Sequence, residues 1–485
     1  MFEKILNSKQ TPFWLIAFGT LIGLTLPKLI QDGMFMDAML YTSVSHNLSQ
    51  GIGTFWFPQF SVLGVSQLPA FHEQPPLVFG IQALFFKLFG DSMYVERLYT
   101  FVTMCITAIL INKLWKDIFK NNIRLTKIGW LPIILWITIP ICYWSFENNM
   151  LENTMGIFVL SAAILIYQSL QSEKIRIIKL IIAGIFIFMA TLSKGFPGFF
   201  PIIIPLLYWI IFKKHSFTKA LLQSIIIISI PLIAYFILFR IPESSESLSA
   251  YIFKRVLQRI NNDHFVGNRF YILLRLFAEL IPQMLFVGII FSIVKIKKMK
   301  TKMNKNIKAW VFFLLIGLSA SAPLMLTLVQ KGFYFVPALP FFALGLAVLI
   351  SPVIANLIDL ININGIKFKI FFSTTAILLA VVISFSIMQK GKYSRHKELL
   401  HDVYLIGKVV PGHTSVSVPR DIWNNWDMQC YLIRYFNISL IPDYKNNYCI
   451  IDNTIKEDTL VNYTKVDIPT IQYDLYKRKD TTYVK

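Results

Sequence analysis

Apolar runs of about twenty residues recur along this chain of 485 residues. An α-helix of that length is needed to cross the ~30 Å hydrocarbon core of a bilayer. Hydrophobic residues make up 55% of the sequence and charged residues 15%, which leaves too little polar surface for a soluble globular protein. The sequence therefore predicts a polytopic α-helical membrane protein.

The apolar runs also predict the number of spans, which we place at about 11–13 transmembrane helices. The first run lacks a small-residue cleavage site, so we interpret it as a retained anchor. The eleven predicted spans are 12–30, 94–116, 128–146, 151–170, 176–193, 197–213, 218–240, 271–295, 308–329, 333–353 and 368–388.

The basic residues predict the orientation of these spans. The net charge is +21, but Lys and Arg fall in short clusters between apolar runs, as orientation signals do, and so do not indicate nucleic-acid binding. All the main clusters lie on the cytoplasmic side with the N-terminus if 75–90 does not cross the membrane. We therefore expect 75–90 to be a helix in the outer interface, since it is short and contains Lys87.

The composition changes at about residue 391, where the long apolar runs end. Alternating and helical patterns in 391–485 predict a small extracytoplasmic α/β domain. The domains are thus predicted to be 1–390, with a first outer loop at 31–93, and 391–485. Cys430 and Cys449 both belong to the second domain; a disulfide and two separate buried thiols both remain open.

Polar residues that are energetically costly to place in a membrane lie near the outer ends of several predicted spans. Ionisable groups at membrane depth are expensive, so they are functional candidates. By contrast, Asp32 is expected to be a solvated loop residue. The candidates include Asp37, Glu73, Glu147, Glu152, Lys194, His264, Arg269, Lys331 and Tyr334.

The order and spacing of four segments resemble the GT-C glycosyltransferases that use polyprenyl-phosphate sugars, the superfamily of the protein O-mannosyltransferases and the lipid A aminoarabinose transferases. The segments are DAMLYTSVSHNLSQG (37–51), HEQPPLVFGIQALFFKLFGDSMYVERL (72–98), SKGFPGFFP (193–201) and GFYFVPALPFFAL (332–344). The most specific piece is Glu-x-Pro-Pro-Leu downstream of Asp-x-x-x-Tyr. The resemblance implies a GT-C transmembrane catalytic domain.

The resemblance also implies roles for two carboxylates. Asp37 corresponds to the catalytic carboxylate of the first outer loop, which would take the proton of an acceptor hydroxyl with inversion at the sugar. Tyr41 belongs to the same motif and would bind substrate. Glu73 is held by Pro75 and Pro76, and would act with Asp37. The alternative for Asp37 is a helix-capping or solvated acid.

No cofactor is required by this chemistry, although in the lipid A branch a divalent metal would map to Glu73 and His264. The leaving phosphate would meet cations, while Tyr334 and Glu152 would bind phosphate and sugar. The alternative for each cation is that its long side chain extends to the membrane interface. The candidate cations are Arg97, Lys194, Arg269 and Lys331.

Three positions depart from the family pattern, namely Ala38, Gln74 and Glu152, and they weaken the assignment to the lipid A branch in particular. The predicted enzyme lies in a bacterial inner membrane, with its active site and second domain outside the cytoplasm. Its partners would be membrane lipids, a polyprenyl-phosphate-linked sugar and a glycolipid, lipid A, polysaccharide or protein acceptor. The alternatives are a transporter or flippase of a lipid-linked glycan, and a ligase or polymerase that moves a whole glycan.

Overall fold

The computed structural model of this chain describes residues 8–63, 70–257, 266–298, 306–454 and 460–479. Within these ranges nine helices are long and apolar enough to cross a membrane, and a bent helix pair is a tenth candidate. The predicted polytopic helical architecture is confirmed. Its α-helices are α1 Thr11–Ile30, α2 Met36–Ser49, α3 Leu77–Phe89, α4 Tyr94–Ile118, α5 Ile123–Thr126, α6 Trp130–Ile137, α7 Pro140–Glu147, α8 Leu151–Leu170, α9 Ile177–Lys194, α10 Ile204–Phe212, α11 Phe217–Leu238, α12 Pro242–Ser249, α13 Tyr271–Ile296, α14 Ile307–Ser321, α15 Leu339–Asp359, α16 Ile366–Ile387, α17 Lys397–Val409, α18 Arg420–Trp423 and α19 Trp426–Phe436.

Other helical forms extend or interrupt these elements. A π-helical segment covers Ala250–Val256, and 3₁₀ segments cover Phe196–Ile203, Ala322–Leu326 and Gly332–Ala338. The predicted span 197–213 is therefore a 3₁₀ segment followed by α10, and the two together are shorter than the candidate membrane spans. It is not one continuous α-helix because Pro197, Pro201 and Pro205 lack the backbone N–H groups that such a helix needs.

The predicted span 128–146 is not one straight helix. It consists of α6 and α7, bent by 79°. Ile139 is extended (ψ 124°) because the ring of Pro140 disfavours a helical conformation in the residue before it. Glu279 of α13 stabilises the break, since its carboxylate accepts a hydrogen bond from the Ile141 N–H (2.8 Å) and also pairs with Arg275 (2.6 Å).

The segment 75–90 contains α3, which has 13 residues and is too short to span a bilayer. Its predicted place in the outer interface stays a prediction.

The chain divides into two compact units. The first contains Met1–Ile30 and Thr100–Lys390, and the second contains Gln31–Tyr99 and Gly391–Lys485. The division into functional domains at 1–390 and 391–485 stays a prediction. The second unit is thus built from two segments of chain that are widely separated in sequence.

The second unit holds a mixed sheet of five strands, β1 Ser415–Ser417, β2 Ser439–Ile441, β3 Tyr448–Asp452, β4 Tyr463–Lys465 and β5 Tyr473–Arg478. The strand order is β2-β1-β3-β5-β4, with β1 parallel to β2 and β3 and the remaining pairs antiparallel. The predicted α/β character of this segment is confirmed. Cys430 and Cys449 are buried free thiols, which answers the open question of their pairing.

One buried acid fixes the chain where it enters β5. The carboxylate of Asp402, on α17, accepts hydrogen bonds from the backbone N–H groups of Ile471 (2.7 Å), Gln472 (2.7 Å) and Tyr473 (3.0 Å). A buried carboxylate is costly unless it is fully hydrogen-bonded, and three backbone donors meet that need. The helix α17 is thereby joined to the sheet.

Candidate active site

Asp37 lies in the first turn of α2, in the second unit. The carboxylate is partly exposed, and its position lets the positive end of the helix dipole stabilise its charge. Tyr41 follows one helical turn later on the same face and is buried. The predicted pair Asp37 and Tyr41 is therefore a partly exposed acid above a buried phenol.

The loop that contains Glu73 packs against the same helix through aromatic side chains. The Tyr41 ring lies 6.4 Å from Phe71 and 6.1 Å from Phe79 of α3, and those two phenylalanines contact each other edge-to-face at 5.6 Å. Glu73 follows Phe71 by two residues and is partly exposed. The three aromatic side chains thus link α2, α3 and the loop of Glu73 within one unit.

Arg97 is fully enclosed by the second unit. Its guanidinium contacts Asp32 (3.4 Å) and Glu96 (3.1 Å), and donates to the Met93 carbonyl (2.5 Å). Glu96 in turn accepts from Arg434 of α19 (2.8 Å). These contacts favour a structural anchor for Arg97, although a role in substrate binding stays a prediction.

The expectation that Asp32 is a solvated loop residue is wrong. Asp32 is 7% exposed and accepts from the hydroxyls of Tyr404 (2.6 Å) and Tyr435 (2.7 Å). Burial, together with the Asp32 carboxylate, raises the pKa of Tyr404 well above its usual value, so the phenol stays a donor. The sequence carried no signal for this cluster, because an acid after an apolar run is usually solvated.

His46 lies further along α2, buried between Asp91 and the ring of Phe86. Its Nε2 is 3.3 Å from the Asp91 carboxylate, and the ring centroids of His46 and Phe86 are 5.2 Å apart. Burial and the Arg434 guanidinium lower the pKa of His46 from its ordinary 6.5 to about 4, so the imidazole is neutral in the folded protein.

This buried imidazole predicts acid sensitivity. As pH falls below about 6.5, the unfolded chain takes up the His46 proton before the folded chain does, so the free energy of unfolding falls by up to roughly 3 kcal/mol between pH 6.5 and pH 4. Thermal unfolding midpoints of the detergent-solubilised protein should decline over this window, and less so in His46→Gln. Parallel declines in the two proteins would contradict the assignment to His46.

The first unit carries the other predicted residues, beginning with a buried ion pair. The Lys194 Nζ is 3.2 Å from the Glu152 carboxylate, and the two side chains are 8% and 1% exposed. The same Nζ lies 5.9 Å from the centroid of the Tyr334 ring. Glu152, Lys194 and Tyr334 are thus brought together from α8, α9 and the 3₁₀ segment Gly332–Ala338.

Gly195 is the C-cap of α9 and directly follows Lys194. It has a φ of +86°, and a Cβ there would lie 2.0 Å from the Tyr251 hydroxyl. Only glycine meets both conditions at this position.

Lys331 and Arg269 occupy two loops of the first unit that are tied together. Lys331 is partly exposed, and its carbonyl accepts from the Tyr334 N–H (3.1 Å). Arg269 is exposed and donates to the Leu326 carbonyl (3.0 Å). Gln330 joins the loops because its amide donates to the Arg269 carbonyl (2.8 Å) while its oxygen accepts from the Ile272 N–H (2.8 Å). Gln330 was not among the sequence candidates.

The part of the chain that the structure describes does not contain a complete set of ligands for the predicted metal. His264 lies outside the described residues, and among those described no group of three or more His, Cys, Asp and Glu side chains could hold a metal. Glu73 alone does not make a divalent site.

Comparison with known proteins decides the fold. Residues 73–239 match the family model described as dolichyl-phosphate-mannose-protein mannosyltransferase. The structure of ArnT from Cupriavidus metallidurans bound to undecaprenyl phosphate superposes with a TM-score of 0.63 at 12% identity, covering 96% of this chain and 97% of that one. The protein has the GT-C fold.

The apo state of the same ArnT matches this GT-C chain with a TM-score of 0.62 at 11% identity, over 96% of this chain and 97% of that one. No curated protein matches the sequence. The resemblance to the GT-C glycosyltransferases is confirmed, and fold and family match together support membrane glycosyl transfer.

Proposed function

We propose that this protein moves a monosaccharide from a polyprenyl-phosphate donor to an acceptor outside the cytoplasm, with Asp37 as the catalytic carboxylate. The observation that carries the proposal is the partly exposed Asp37 in the first turn of α2, one turn from Tyr41, in a chain of GT-C fold. The ArnT structure is bound to undecaprenyl phosphate, and we extend that class of lipid phosphate to this chain.

The proposed reaction is a single displacement at the anomeric carbon. The acceptor oxygen attacks, its proton passes to Asp37, and the bond between the anomeric carbon and the phosphate oxygen breaks with its electron pair going to the phosphate. One base in line with the leaving group gives inversion. Where the acceptor is itself an ionised phosphate, Asp37 serves to position it and no proton is taken.

The remaining residues have supporting roles in this proposal. Glu73 is the second carboxylate beside Asp37, and Tyr41 binds substrate. Lys194, Arg269 and Lys331 meet the charge of the lipid phosphate, and Glu152 keeps the Lys194 ammonium oriented in a buried setting. We infer that the protein lies in a bacterial inner membrane, with 391–485 on the extracytoplasmic side.

Lipid profiling of a host that lacks the protein tests the function. We expect a polyprenyl-phosphate monosaccharide to build up and one glycan to lose a sugar, with both changes reversed by the wild type. The acceptor is then identified from the glycan that changes. Lipid-linked glycan trapped on the cytoplasmic leaflet would instead support a transporter, and loss of an entire glycan block would support a ligase or polymerase.

A further inference from the structure

Residues 32–34, which lie shortly before α2, have all their backbone polar groups hydrogen-bonded. The Asp32 N–H donates to the Lys392 carbonyl (2.9 Å), and the Asp32 carbonyl accepts from the Ser394 N–H (2.7 Å). The Gly33 N–H donates to the Asp32 carboxylate (2.6 Å), and the Gly33 carbonyl accepts from the Ser394 hydroxyl (2.5 Å). This stretch is therefore held as a short bridge to Lys392–Ser394.

Tyr431 binds the remaining two backbone groups, which belong to Met34. Its hydroxyl accepts from the Met34 N–H (3.2 Å) and donates to the Met34 carbonyl (3.0 Å). Five of the six backbone groups of residues 32–34 thus find their partners in the C-terminal segment of the second unit. Few loops are fixed so completely, since most backbone groups in loops bond to water or to near neighbours in sequence.

The same C-terminal segment also binds the side chain of Asp32 and, further along the chain, a side chain of α2. Asp32 accepts from Tyr404 and Tyr435, whose rings stack with centroids 5.6 Å apart. Further along, the Ser43 hydroxyl of α2 donates to the Cys430 carbonyl (3.3 Å). The α19 residues that take part are spaced at helical intervals on one face, namely Cys430, Tyr431 and Tyr435.

Gly33 is the position at which this packing is tightest. It has a φ of +87°, and a Cβ there would lie 2.8 Å from the Arg395 carbonyl oxygen. The chain can therefore approach 391–395 this closely only with glycine at position 33.

Asp37 lies three residues beyond Met34, in a helix whose N-cap, Phe35, provides no side-chain hydrogen bond. The start of such a helix frays unless tertiary contacts hold it. A catalytic group must be held within about 0.5 Å of its productive position. The contacts to Asp32 and Met34 are the ones that fix the chain just before Asp37.

We propose that the C-terminal segment 392–436 acts as a positioning element for the Asp37 helix, with Tyr431 as its principal positioning residue and Tyr404 and Tyr435 in support. The proposal rests on the function proposed above, because the value of positioning depends on Asp37 being catalytic. It gives the C-terminal domain a role in the rate of the reaction rather than in recognising the acceptor.

The test compares Tyr431→Phe with Tyr448→Phe in the purified full-length protein. The first keeps the ring and removes the hydroxyl that binds Met34. The second removes a hydroxyl from a partly exposed tyrosine on β3 of the same unit. We expect kcat to fall by about tenfold or more in Tyr431→Phe, with KM for the lipid donor changed less than about twofold, and neither to change in Tyr448→Phe.

Hydrogen exchange provides a readout that does not depend on activity. Backbone amides of residues 34–41 should exchange faster in Tyr431→Phe and at the wild-type rate in Tyr448→Phe. Unchanged exchange would overturn the proposed clamp, and faster exchange with unchanged kcat would overturn its role in positioning. If Tyr431→Phe does not fold, Tyr404→Phe removes a single hydrogen bond to Asp32 and is judged by the same outcomes.

Adding Asp37→Asn to this comparison separates the positioning role from the proposed function. If Asp37→Asn retains full activity, the function fails, whereas the exchange comparison still measures whether Tyr431 holds α2. If Asp37→Asn is inactive and Tyr431→Phe matches the wild type in kcat and exchange, the function stands and the positioning role fails.

Discussion

Replacing Asp37 with Asn is expected to lower kcat for sugar transfer by about 10²–10⁴-fold, the usual contribution of a positioned general base. The amide has nearly the same shape as the carboxylate but cannot take the acceptor proton. Because Asp37 is proposed to act on the acceptor and not to bind the lipid, KM for the lipid donor should change little. Steady-state transfer of a labelled sugar by the purified protein measures both quantities.

A matched control for Asp37→Asn is Asp421→Asn. Asp421 is likewise an acid in the first turn of a helix of the second unit, but it is exposed, so its replacement should leave kcat unchanged. Asp37→Glu, which keeps the base but moves it by one methylene, should retain part of the activity. A rate for Asp37→Asn within threefold of the wild type would remove Asp37 from the mechanism.

The second large effect is expected at the buried pair of Glu152 and Lys194. Replacing Lys194 with Met, or Glu152 with Gln, leaves one charge buried without its partner and should cost about 3–5 kcal/mol of stability. The double variant removes both charges and should recover most of that loss. Thermal unfolding of the detergent-solubilised protein measures the three changes.

The affinity for lipid then distinguishes a structural role of Glu152 and Lys194 from a role in binding the donor. If Lys194 meets the donor phosphate, affinity for undecaprenyl phosphate should fall by about tenfold in the double variant, although its stability is restored. A double variant that regains both stability and affinity would limit Lys194 to a structural role. Arg124→Gln is the control, because Arg124 and Asp359 form an exposed pair worth at most about 1 kcal/mol.

The length of the apolar runs predicted most of the candidate membrane spans correctly, because each helix must by itself be long enough to cross the bilayer. Nine of the eleven predicted spans are continuous helices in the described chain. The differences at 128–146 and 197–213 both come from proline, whose effect on a span depends on whether neighbours such as Glu279 can satisfy the freed backbone groups. An acid inside the apolar run 271–295 was a usable signal for Glu279.

The candidate site was predictable only where a motif was present. Asp37, Tyr41 and Glu73 follow from local spacing, and Glu152 with Lys194 from their places at span ends. Asp32, by contrast, acquires its role from Tyr404 and Tyr435, which lie more than 370 residues away. The strands β2 and β4 have three residues each, too few to show alternation in the sequence.

The division of the second unit between two distant segments has a consequence for how the protein is made. Lys392 is translated about 360 residues after Asp32, which at 5–20 residues per second is a delay of roughly 20–70 seconds. During that interval the segment that forms α2 has been made but lacks the hydrogen bonds that fix residues 32–34. A part of the chain that is synthesised much later therefore completes the loop that precedes Asp37. Under the proposed function, a partly made chain would carry Asp37 without the order needed to react with lipid-linked sugars in the membrane.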